Sequence, residues 1–95
     1  MKKVEVKLKN GTAEGYEIQL PNTRLVFVLT KQGYVMCGYL DLTTADKVGD
    51  IAALVRGVNT VEELLKAKVQ GVSAAAKQLG VEIGMSGEKA LEKML

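Results

Sequence analysis

The stretch Leu25-Val26-Phe27-Val28-Leu29-Thr30-Lys31-Gln32-Gly33-Tyr34-Val35-Met36-Cys37-Gly38-Tyr39-Leu40-Asp41 decides the fold. Two apolar runs flank a Lys31-Gln32-Gly33 turn. β-Branched and aromatic residues of this kind suit a pleated, buried surface, and Gly33 is placed to supply the positive φ of a tight hairpin. Leu25, Phe27 and Leu29 fall on one face of the first run and Val26 and Val28 on the other. In the second run Val35, Cys37 and Tyr39 lie opposite Met36 and Leu40. Apolar residues on both faces require burial on both. Helices can cover one side, and a second copy of the chain is expected on the other, so the sequence predicts a homo-oligomer joined through residues 25–40.

Working outward toward the N-terminus, Val4, Val6 and Leu8 alternate with Glu5, Lys7 and Lys9, the period of a half-buried strand. Asn10-Gly11 is a hairpin signal. The return run is expected to turn Tyr16, Ile18 and Leu20 inward and Glu17 and Gln19 outward, with a bulge at Gly15. Pro21-Asn22 ends it. Four antiparallel strands in two hairpins result.

Toward the C-terminus, Asp41, Thr43 or Thr44 can cap a short helix that Gly49 ends. The flanking glycines and β-branched residues of 50–58 favour a fifth strand over a helix. Thr60-Val61-Glu62-Glu63 fits a capping box. Residues 66–71 read as a connection, and Val72, Ala75, Ala76 and Leu79 as the apolar stripe of a helix closed by Gly80. Ser86-Gly87-Glu88 opens a last helix that buries Leu91, Met94 and Leu95. The expected fold is α+β. One domain over 1–95 holds a mostly antiparallel sheet of about five strands, with short, mainly C-terminal helices on one face.

Composition excludes much chemistry. The chain has no histidine and a single cysteine. Histidine-based acid–base catalysis, histidine metal sites, a four-cysteine zinc site and a CxxC redox pair are all excluded within one chain. The lone cysteine forms no internal disulfide, and the N-terminus lacks the apolar stretch of a signal peptide. No run approaches the ~20 apolar residues of a membrane span. The expected setting is cytoplasmic, without membrane contact. A formal charge of +2, with 25% charged and 4% aromatic residues, gives no electrostatic footprint for nucleic acid. Lys3, Lys7 and Lys9 beside Glu5 read as a solvated edge strand.

Three ordered segments carry a family resemblance. They are Gly33-Tyr34-Val35-Met36-Cys37-Gly38-Tyr39-Leu40-Asp41, Val55-Arg56-Gly57-Val58-Asn59-Thr60-Val61-Glu62-Glu63-Leu64-Leu65 and Gly80-Val81-Glu82-Ile83-Gly84-Met85-Ser86-Gly87-Glu88-Lys89-Ala90-Leu91. Over roughly residues 16 to 95 the chain resembles the YunC-like family, small bacterial and archaeal proteins of unknown function. The resemblance implies a compact α+β domain and assigns no activity, cofactor or site residue.

The candidate site residues therefore come from the side chains themselves. Cys37 reads either as a reactive thiol, with Gly38 letting a ligand approach the backbone, or as a small core residue. Arg56-Gly57 can bind an anion bidentately or cap the surface; Arg56 and Arg24 are the only arginines. Ser86 and Gly87 can offer free amides to an anion or form an ordinary helix cap. Asp41, Asp46 and Asp50 can gather around a cation, or serve as caps and turns. Two function classes follow. The leading one is a non-catalytic oligomeric module that binds a small anionic ligand or a protein partner. The alternative is a small thiol-dependent enzyme using Cys37 with Arg56 as its anion anchor.

Overall fold

In the computed structural model, which spans residues 1–95, the central hairpin sits in the middle of a six-stranded sheet. Strands β1 (Lys2–Leu8), β2 (Gly11–Gln19), β3 (Arg24–Leu29), β4 (Gly33–Met36), β5 (Ile51–Leu54) and β6 (Gly71–Val72) lie side by side in chain order. All neighbours run antiparallel except β4 and β5. A parallel pair needs a crossover, and helix α1 (Leu42–Val48) supplies it. Asp41 caps α1 by accepting the Thr43 N–H, and Gly49 closes it in the left-handed conformation with φ 82°. The strand expected within 50–58 is β5, and β6 adds a sixth.

The helices α2 (Val61–Lys66), α3 (Ala74–Gln78) and α4 (Gly87–Lys93) cover one face of the sheet. Val26, Val28, Val35, Ala53 and Val55 meet Leu64, Ala76, Ala90, Leu91 and Met94 there, all fully buried. Small side chains on both layers allow this close approach. Helix α1 packs on the opposite face, where Ala45 closes over Met36, Ala52 and Leu54. Beyond α1 that face is open. Phe27, Leu29, Tyr34, Leu40 and Val48 line a groove of about 400 Å³ there, with Leu29 and Val48 exposed.

Several local expectations are corrected. Strand β2 has the reverse phase. Ala13, Gly15 and Glu17 turn toward the helices, while Tyr16 stacks on Phe27 across the other face, ring centroids 5.1 Å apart. Leu20 lies past the end of the strand. The reason is α2, which packs so closely that a Cβ on Gly15 would stand 2.8 Å from the Val61 side chain. Gly15 pairs with Val4 and Val28 in unbroken register, so no bulge forms. Gly33 has no positive φ; it is needed because a Cβ would fall into the Ile51 carbonyl oxygen. Residues 66–71 are more than a connection, since Lys68 bridges to Ser86 and Gly71 begins β6. Val72 is in that strand, and α3 starts after the Ser73 cap, whose hydroxyl oxygen accepts the Ala76 N–H at 3.2 Å.

Candidate functional site

The sheet frays where its parallel pair ends. The Val55 N–H still donates to the Met36 carbonyl at 2.9 Å, whereas the Cys37 N–H turns back to the Val26 carbonyl at 3.0 Å. After these bonds the two chains part. Clefts outside the carboxyl ends of parallel strands are the usual ligand sites of open sheets. Here the cleft is about 330 Å³, lined by Cys37, Gly38 and Tyr39 after β4, by Arg56, Gly57, Val58 and Asn59 after β5, and by Thr23 and Arg24 at the start of β3.

No carboxylate lines this cleft, and both arginines of the chain do. Their environments differ. Arg24 is held: its Nε donates to the Gln19 Oε1 at 3.0 Å, and its Nη1 lies 3.6 Å from the Glu17 carboxylate. Glu17 is buried and also accepts the Val61 N–H at 2.8 Å, so it ties Arg24 to the first turn of α2. Arg56 is exposed and enters no salt bridge or side-chain hydrogen bond. It lies against Gly38, where a Cβ would stand 3.3 Å from its Nη1.

The backbone adds donors. The N–H groups of Gly38, Tyr39, Arg56, Gly57 and Val58 make no hydrogen bond within the protein. Gly57 holds φ 73°, a left-handed conformation that glycine adopts without strain. Asn59 Oδ1 accepts the Thr23 hydroxyl at 3.0 Å, which orders the rim between β3 and the β5 loop. A cleft with free amide donors, no carboxylate and an unpaired guanidinium suits an anion.

Cys37 forms part of the floor, 3% exposed, its Sγ accepting the Val26 N–H at 3.4 Å. No histidine exists to deprotonate it, and no carboxylate shares the cleft. The structure thus brings Cys37, Gly38, Arg56 and Gly57 into one cleft. Ser86 and Gly87 lie elsewhere: Ser86 Oγ caps α4 by accepting the Lys89 N–H at 3.2 Å, and Gly87 packs against the Leu64 carbonyl. Thr23 and Arg24 join the cleft from the start of β3, a segment that sequence reading did not connect to it, and Tyr39, Val58 and Asn59 join as chain neighbours of Gly38 and Gly57. Arg24 and its rarity were the signal available.

The aspartates are occupied singly. Asp41 accepts from the Thr44 hydroxyl and the Thr43 amide, which hold its carboxyl below the usual range. Asp46 accepts the Ala74 N–H at 2.6 Å, and Asp50 the Tyr34 hydroxyl at 2.8 Å. No three metal-ligating side chains gather in one place.

Residues 36–94, which contain the Cys37 and Arg56 loops, match the family model described as a domain of unknown function (DUF1805). The uncharacterized protein YunC of Bacillus subtilis is 39% identical over 82% of this chain and 81% of its own length. The crystal structure of a protein of unknown function from Thermoplasma acidophilum superposes with a TM-score of 0.93 at 33% identity, over 99% of this chain and 92% of that one.

Proposed function

The chain belongs to the DUF1805 family of unknown function, and on that premise we propose that it is a non-catalytic module that binds a small organic anion between its β4 and β5 loops. One observation carries this reading. The only two arginines converge on a cleft with no carboxylate, and one of the two is unpaired. Arg56 is the anchor, Arg24, its charge balanced by Glu17, is a fixed wall, and the loop amides are the remaining donors. The buried Cys37 shapes the floor. The module works in the cytoplasm as an assembly of identical copies, joined through the apolar face beside α1.

An NMR titration of the isotope-labelled protein with inorganic phosphate tests the binding. Saturable shifts at the Gly38, Arg56 and Gly57 amides are expected, and Arg56→Gln should abolish saturation while the spectrum stays folded. Shifts that scatter over the surface lysines, or saturation unchanged in the variant, would remove the reading.

A further inference from the structure

Tyr39 stands out among the chain's four aromatic residues. It is 60% exposed, whereas Tyr16 and Phe27 stack on each other and the Tyr34 hydroxyl is bound to Asp50. A ring this exposed, set in the lining of a cleft, is available to stack on a ligand. Its place is specific: it lines the same cleft as Arg56, next to Gly38 on the β4 loop. The cleft, at about 330 Å³, has room for roughly ten waters at ~30 Å³ each. A bare oxyanion leaves most of that space empty.

The occupant must therefore satisfy two unlike surfaces. The β5 loop presents an unpaired guanidinium with free amides beside it, which match a phosphate with several acceptor oxygens. The β4 loop presents an exposed aromatic ring with no acidic neighbour in the cleft, a platform for a planar heterocycle. We infer that the ligand class is a phosphate ester carrying a heterocyclic base, such as a nucleoside monophosphate, with the phosphate on Arg56 and the base stacked on Tyr39. This rests on the anion-binding reading above and adds the second half of the ligand. Gly38 connects the two halves. Having no side chain, it leaves Arg56 free to lie along the loop that presents Tyr39.

The test compares adenosine monophosphate, uridine monophosphate, ribose 5-phosphate and inorganic phosphate by NMR titration of the intact chain. The monophosphates should bind about tenfold more tightly than ribose 5-phosphate, the scale of one base–aromatic stack. Tyr39→Ala should erase that advantage and leave ribose 5-phosphate binding unchanged, and Tyr39→Phe should keep it. Arg56→Gln should weaken all four probes. Equal affinity for the monophosphates and ribose 5-phosphate, with Arg56 still required, would overturn this inference and leave the anion site standing. Binding of no probe at Gly38 and Gly57 would overturn both.

Discussion

Single residues show how differently two glycines serve the same hairpin. A Cβ on Gly33 would meet the Ile51 carbonyl oxygen across the parallel pair, and backbone cannot step aside cheaply. Gly33→Ala is expected to cost about 2 kcal/mol or more in chemical denaturation, at the upper end of overpacking penalties. Gly38 instead faces the mobile end of Arg56 at 3.3 Å, and its backbone has no positive φ. Gly38→Ala should leave stability within about 0.5 kcal/mol and weaken phosphate binding several-fold by displacing the guanidinium. A titration that finds binding intact in that variant would separate Arg56 from the site. Tyr34 offers a test by pH. Burial first, then its hydrogen bond to Asp50, pushes its pKa up to about 12. The fold thus favours the neutral phenol. This contribution is fully present below the unfolded value of about 10 and is lost as pH rises from there through about 12. Tyrosinate absorbance should show a late step that shrinks in Tyr34→Phe but does not vanish, because the hydrogen bond to Glu14 also raises Tyr16, and Asp50→Asn should bring the Tyr34 part to lower pH only in part, because burial remains.

Secondary-structure elements were legible where pattern and capping chemistry agreed. The two hairpins, the Asp41 cap, the Gly49 and Gly80 stops and the Thr60–Glu63 cap all follow from local residues. In the last, Thr60 Oγ1 accepts the Glu63 N–H at 3.1 Å and the Glu63 carboxylate accepts the Asn59 N–H at 2.8 Å. The phase of β2 was not legible. Tyr16 and Ile18 are its bulkiest apolar residues, yet the helix-facing side needs the small Ala13 and Gly15 and the hydrogen-bonding Glu17, a demand made by α2 forty-odd residues later. The cleft was half legible for a similar reason. Cys37, Gly38, Arg56 and Gly57 were recognisable as chemistry, but only the parallel pairing of β4 with β5 brings them together, and only antiparallel β3 adds Arg24. Ser86 looked equally apt in sequence, and at α4 its oxygen already accepts the Lys89 N–H. Ser86→Ala should cost about 1 kcal/mol, the usual value of an N-cap, and leave the phosphate titration unchanged. A loss of binding with intact stability would return α4 to the site.

At the scale of the whole molecule, the sheet has one face closed by three helices and one closed only over β4 and β5 by α1. The uncovered part is a continuous apolar surface of Phe27, Leu29, Tyr34, Leu40 and Val48. Its two flanks differ in charge, acidic on one side and mixed, with unpaired lysines, on the other. Asp41 and Asp50 lie along the α1 side. Lys31 lies past Leu29 on the strand side, and Lys7 follows on β1 with no ion pair. Glu5 and the Lys3–Glu14 pair sit between them. A two-fold axis through the groove would set apolar groove on apolar groove and bring the acidic flank of each copy against the lysines of the other, the self-complementary pattern an isologous dimer requires. Such contacts bury on the order of 800 Å² from each partner, so the neighbouring strand face must join the groove in the interface. The untagged protein is therefore expected to be dimeric at micromolar concentration by native mass spectrometry and by sedimentation. Leu29→Lys and Val48→Lys alter side chains that are 39% and 67% exposed in the single chain, so each should yield a folded monomer with little change in its own stability. Salt should loosen the dimer without dissociating it, since the flanking charges are screened while the apolar centre is not. A wild-type chain that stays monomeric under these conditions would leave the groove without its second copy, and would show that Phe27 and Leu29 tolerate water on a face their sequence pattern marks for burial.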